Sequence, residues 1–188
     1  MDEALIQARQ QPEKIVILYE DEGTYYRQPS QAWLWASLGR QQPRMHYSQR
    51  SNTRVRWVGY LNGVTGAVHG EDMSSVTVKR LSKNLAQLSS WYPAAETIYL
   101  VWDNWSNHVH PLPLAALAEQ PKVKILWLPT YAPWLNPIEK LWKWIRSRVS
   151  HAHPWSDDFL EFKAQLRAEL AALAPGSPEL LNFVGLSS

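Results

Sequence analysis

The strongest constraint on this chain is a set of short apolar runs that read as buried strands. KIVILY over 14–19 is β-branched and apolar enough to be buried on both faces of a sheet. TIYLVW over 97–102 is another buried strand, and VKILWL over 123–128 follows it. Between the first two, RVRWVGYLN over 54–62 alternates, turns through Gly63–Gly66, and pairs back as a hairpin over Ala67–His69. QAWLWASL over 31–38 and the segment 43–48 add further extended pieces. Helical periodicity marks 3–10, 75–90, 111–118 and the segment after Ser156 and Asp157. Over 75–90 the core face is Val78, Leu81, Leu85 and Leu88, capped by Asp72, Ser74 or Ser75. In the late helix it is Phe159, Phe162, Leu166, Leu170 and Leu173. Hairpin strands first, then strands alternating with helices, predict an α/β fold. Its mixed sheet is antiparallel at the start and parallel where helices cross over.

The 188 residues, 45% hydrophobic, suit one domain with a real core. The expected division is a lead-in over 1–13, the domain over 14–174 and a tail over 175–188. A net charge of +2 names no partner. Its distribution says more: Lys140, Lys143, Arg146 and Arg148 fall in a run, 140–156, that contains no acid. Such a run suits a polyanion, with DNA as the expected partner. The absence of Cys excludes disulfides and thiolate metal sites. No apolar run approaches membrane-spanning length, and the polar, partly acidic start is wrong for a signal peptide, so the expected location is cytoplasmic, with no membrane partner.

Acids stand where those strands end. Glu20, Asp21 and Glu22 follow the first, and Asp103 follows the second. After the third, the turn residues Pro129, Pro133, Asn136 and Pro137 give way to a helix whose apolar face is Ile138, Leu141, Trp142, Ile145 and Val149. Asn136 suits its N-cap and Pro137 its first position, which puts Glu139 in the first turn. Glu139 is then either the acid of a capping box or a metal ligand with partners elsewhere. Ligands of such sheets gather beyond the carboxyl ends of the parallel strands, where Asp21, Asp103 and Glu139 could meet. Three carboxylates on rigid elements suit hard divalent cations and in-line phosphoryl displacement. Along a strand Asp21 points opposite to Glu20 and Glu22, and periodicity does not choose between the two faces. The pairs His108 with His110 and His151 with His153 have alternating spacing but lack a third zinc ligand. Asn104 and Asn136 read as turn-shaping residues. Trp142 is expected in the core and Trp144 at the surface. Removing Asp103 is expected to relieve carboxylate repulsion and raise metal-free stability.

The segments YEDEGTYY, LVWDNWSNH and LPTYAPWLNPIEKLW, with 35 residues between Asp103 and Glu139, resemble the three catalytic motifs of DDE transposases. They are similar to the bacterial insertion-sequence branch of the mariner-like superfamily. The resemblance runs from about residue 14 to residue 173, and its most specific part is DNxxxH followed by APxLNPIExxW. It implies a ribonuclease-H-like fold and Mg²⁺-dependent DNA cleavage and strand transfer, with Mn²⁺ as a substitute ion. It places the catalytic, metal-binding acids at Asp21, Asp103 and Glu139. His108 and Asn104, close after Asp103, are candidate active-site neighbours. The resemblance also decides for Asp21 over Glu20 and Glu22. A homodimer is compatible with it. Relatives of this kind carry N-terminal helix-turn-helix modules, for which no room precedes residue 14. A separate or missing module is therefore expected, the chain being a fragment, a second reading frame or a truncated element. Two alternatives stand beside transposition: a nuclease or resolvase that only hydrolyses, and a DNA-binding remnant without catalysis.

Overall fold

Ile15–Tyr26 form β1, the central strand of a five-stranded sheet ordered β3-β2-β1-β4-β5. The other strands are β2 (Arg54–Asn62), β3 (Val68–Asp72), β4 (Thr97–Trp102) and β5 (Val123–Trp127). In this computed structural model the described residues are 1–31, 37–39, 45–75, 77–130 and 132–187. β2 pairs antiparallel with both β1 and β3, whereas β4 runs parallel to both β1 and β5. This is the expected mixed sheet, with the hairpin on one side and the crossover strands on the other.

The helices cover both faces. On one lie α1 (Asp2–Gln10), α5 (Ile138–Ile145), α6 (Phe159–Leu173) and α7 (Pro178–Val184). Their core unites Ala4 and Ala8 with Ile17, Tyr19 and Tyr25 of β1, and with Trp142, Phe162, Leu166, Leu180 and Val184. On the other lie α2 (Val78–Leu85), α3 (Leu88–Trp91) and α4 (Pro111–Ala118). There Val16 and Leu18 of β1 pack with Leu81, Leu85, Leu88, Leu100 and Trp102. β1 is therefore buried on both faces, as its continuous apolar run requires.

Several local expectations change. β1 does not stop at Tyr19 but continues through the acids to Tyr26, because β2 pairs with it from Leu18 to Tyr26. Residues 45–48 are irregular, while 32–36 and 43–44 of the two expected extended pieces lie outside the described residues. The helix expected over 75–90 divides into α2 and α3, and Thr77 caps it, its side chain accepting from the Arg80 N–H. Asp158, not Ser156 or Asp157, caps α6. Trp144 is only 9% exposed. It packs edge-on against Phe183, with ring centroids 4.9 Å apart, and the Arg148 guanidinium covers it at 4.4 Å.

Candidate active site

The pairing of β1 with β4 ends at Tyr19 opposite Val101. Continued two residues, the same register sets Asp103 beside Asp21. Beyond Tyr19, β1 therefore has no strand paired with it on that side, and Asp21 and Asp103 lie where the sheet opens into a cavity. Asp103 follows β4, and Glu139 lies in the first turn of α5. Asp21, Asp103 and Glu139 line one cavity of about 310 Å³, together with Asn104, Trp105 and Asn136. Glu139 makes no capping-box bond among the described residues; α5 begins one residue later than expected, with Pro137 at the cap position.

Each acid is held by neighbours that the fold supplies. The Trp142 indole N–H donates to Asp21 Oδ2 at 2.9 Å. Its ring lies against Gly23 and Gly59, where a Cβ at Gly59 would stand 2.3 Å from an indole carbon. Gly59 is the register partner of Asp21, so its missing side chain is what admits the indole. Asp103 Oδ1 accepts from the Trp105 backbone N–H at 3.0 Å and lies 2.7 Å from His108 Nδ1. Two asparagines tie the loops to the sheet. The Asn104 amide donates to the Leu128 carbonyl at 3.0 Å, and the Asn136 amide donates to the Glu20 carbonyl at 3.0 Å. Asn136 Oδ1 also accepts from the Ile138 N–H at 3.4 Å. Both shape turns as expected, but they do so by joining the three acid-bearing segments.

Glu20 and Glu22 point to the opposite face, as strand alternation demands. There they meet His108, whose Nε2 is 3.4 Å from Glu20 Oε2 and 3.4 Å from Glu22 Oε1. Ligand atoms of these three residues lie within 4.8 Å of one another, a spacing that a metal ion could bridge. Glu20 and His108 are fully buried, however, so this cluster belongs to the interior, whereas the cavity of Asp21, Asp103 and Glu139 opens to solvent. His110 caps α4 by accepting from the Leu112 N–H, and His153 stacks on Phe162 while accepting from the Trp155 N–H.

The electrostatics separate the acids. Burial, then the charges of Glu22 and Glu139, push the Asp21 carboxyl up to about 7. The hydrogen bond from His108 holds Asp103 below the usual carboxylate range despite its partial burial. Burial alone would lower His108, but Glu20, the bond to Asp103, and Glu22 together raise it to about 10. The repulsion expected at Asp103 therefore resides at Asp21. Asp103 instead gains from its surroundings, which argues against a gain in stability on its removal.

The cations divide by helical position. Lys143 and Arg146 stand four and seven residues after Glu139 and so share its face of the helix. Arg146 lies 5.9 Å from the ring of Tyr25, on the Asp21 face of β1. Lys140 instead lies against Gly185, and Arg148 is 3.5 Å from Glu169. Among the described residues no helix is long and apolar enough to cross a membrane.

A family profile described as DDE superfamily endonuclease matches residues 16–160. The insertion element IS630 uncharacterized 39 kDa protein of Shigella sonnei is 29% identical over 140 residues. That match covers 74% of this chain and 40% of the relative, so the chain spans less than half of that protein's length. Among solved structures, the mariner Mos1 paired end complex with Mg is similar at a TM-score of 0.67 and 14% identity, covering 98% of this chain and 57% of that one. The catalytic domain of Mos1 mariner transposase is similar at 0.58 and 13%, covering 98% and 82%. Identities this low establish a shared fold, the ribonuclease-H-like sheet with its flanking helices.

Proposed function

Since the chain belongs to the DDE superfamily endonucleases, we propose that it is the catalytic unit of a DNA transposase, cutting a phosphodiester and joining the freed 3′ end to target DNA. The observation that carries this reading is the convergence of Asp21, Asp103 and Glu139, from three separate elements, on one open cavity. These acids would hold the divalent cation. The donor set suits one: oxygen only, anionic, and with Asp103 Oδ2 left without a partner among the described residues while Oδ1 is doubly engaged. Mg²⁺, with Mn²⁺ as a substitute, would supply charge stabilisation for the attacking and leaving oxygens.

The chain's own residues do the rest. Trp142 fixes the Asp21 carboxylate by its indole N–H, so that group need not reorganise when substrate arrives. Asn104 and Asn136 hold the loops that carry Asp103 and Glu139 at fixed distance from β1. Lys143 and Arg146 would receive the phosphates on either side of the scissile bond. This charge-based contact carries no sequence information. Reading of the transposon end would fall to a helix-turn-helix module, and pairing of two ends to a homodimer acting on DNA in the cytoplasm.

The test is a labelled duplex with a pre-nicked element end, incubated with Mg²⁺. Wild-type protein is expected to give strand-transfer products. Asp103→Asn should lose about 10³-fold or more in rate, since several kcal/mol of charge stabilisation depend on the site. Activity that survives EDTA would overturn the reading, and hydrolysis without joining would reassign the protein as a nuclease.

A further inference from the structure

Strand β1 uses both faces at the site. Asp21 turns toward the cavity, while Glu20 and Glu22 turn into the interior and flank a single buried imidazole. That imidazole, His108, is stacked on Trp102 at 4.3 Å and 25° and meets the edge of Trp105 at 5.2 Å and 88°. With no exposed surface, its ring plane is set by these contacts. Its Nδ1 is 2.7 Å from Asp103 Oδ1. An ionised carboxylate only accepts, so Nδ1 carries the proton and donates. Its other nitrogen lies 3.4 Å from one carboxylate oxygen of each of Glu20 and Glu22, and neither that nitrogen nor either oxygen of Glu20 has a hydrogen-bond partner among the described residues, so charge rather than a hydrogen bond holds this side of the ring. The Asp103 carboxylate sits on a loop, half exposed, and without this contact only the Trp105 N–H would limit its rotation.

We propose that His108 is a positioning residue, anchored by Glu20 and Glu22, that fixes Asp103 in the orientation needed to bind the divalent cation. The inference rests on the reading of Asp103 as a ligand. A ligand's hydrogen-bonded neighbour sets the direction of its lone pairs, and losing such a neighbour typically weakens metal binding by about 10- to 100-fold.

The experiment measures Mn²⁺ binding to the DNA-free protein by electron paramagnetic resonance, together with the Mn²⁺ dependence of nicking. His108→Ala should weaken Mn²⁺ binding about tenfold or more, with nicking largely recovered at saturating metal. His108→Asn carries an amide N–H near the place of Nδ1, and should restore most of the affinity. His108→Gln reaches toward Glu20 and Glu22 instead and should not. A role limited to packing would affect the Asn and Gln variants alike, and that result overturns the proposal. Because those two variants differ by one methylene, their comparison stands even where the Ala variant fails to fold. Asp103→Asn is the control. If it leaves Mn²⁺ binding unchanged, the ligand reading and this inference both fail. If it abolishes binding while His108→Ala does not weaken it, this inference alone fails. Binding that is lost in Glu20→Gln and Glu22→Gln but kept in Asp21→Asn would make the buried cluster itself the metal site and overturn the proposal.

Discussion

Asp21 carries opposing demands. It lines the cavity under constraint, with Trp142 donating to one oxygen and Glu22 and Glu139 repelling it. Its carboxyl titrates at about 7 against an ordinary value of 3.8. Between those values the metal-free native state holds a proton that the unfolded chain has lost, so stability falls as pH rises through that window. Asp21→Asn removes the titration. In melts without metal, the variant should be more stable than wild type near pH 8 by about 1 kcal/mol or more, with the difference shrinking toward about pH 4. A difference independent of pH would show that Asp21 is not the strained acid. Asp103→Asn should behave in the opposite sense, losing stability, because its carboxylate is held down by His108. Only the first of these variants trades activity for stability.

At the scale of elements, the site depends on how α5 is anchored. The helix packs its Ile138, Leu141, Trp142 and Ile145 face on the sheet, which sets its height and angle. Its start is set separately, by the bond from the Asn136 amide to the Glu20 carbonyl, 116 residues away in sequence and buried. Asn136→Ala leaves that carbonyl without its donor and should cost about 1–3 kcal/mol. It should also free the turn that carries Glu139. Thermal melts and Mn²⁺ titration of the same variant check the two effects. A variant that melts lower yet binds Mn²⁺ as tightly as wild type would show that the helix face alone places Glu139. The edge strand β3 has its own tie: Asp72, which ends it, lies 2.7 Å from Lys163 and 3.2 Å from Arg167 of α6.

At the scale of the whole molecule, the cavity lies at one end of the sheet, beyond the carboxyl end of β4, with the Lys143 and Arg146 face of the α5 segment beside it. DNA binding by this chain should be tolerant of sequence and fall steeply with salt, because it rests on phosphate contacts. Lys143→Ala and Arg146→Ala should each reduce the slope of log affinity against log salt by about 1. Lys140→Ala and Arg148→Ala should change it far less, since these side chains are turned to Gly185 and to Glu169 and Trp144. Filter binding of random duplex across a salt series checks this. Equal effects from all four would place the DNA path along the outside of the helix. Strong preference for one end sequence would reveal a base-reading element.

What the sequence determined by itself was whatever depends on neighbouring residues. The buried strands at 14–19, 97–102 and 123–128 were legible because continuous apolar side chains leave few alternatives to a covered sheet. The apolar face of the Glu139 helix was legible from its three- and four-residue steps. The meeting of Asp21, Asp103 and Glu139 was legible as a possibility, because parallel strands deliver their carboxyl ends to one end of the sheet. What the tertiary structure decided was every relation that crosses the chain. β1 continues past its apolar run because β2 hydrogen-bonds to it as far as Tyr26, a fact no property of EDEGTYY announces. Trp144 is buried by Phe183 and Arg148, which its own helix could not reveal. The face that Asp21 takes, Gly59 as the gap that admits Trp142, and His108 between Glu20, Glu22 and Asp103 all follow from strand register. Register is set by the summed pairing and packing of the sheet, and a slip of one residue in β1 would turn Asp21 away from the cavity and Glu20 and Glu22 toward it.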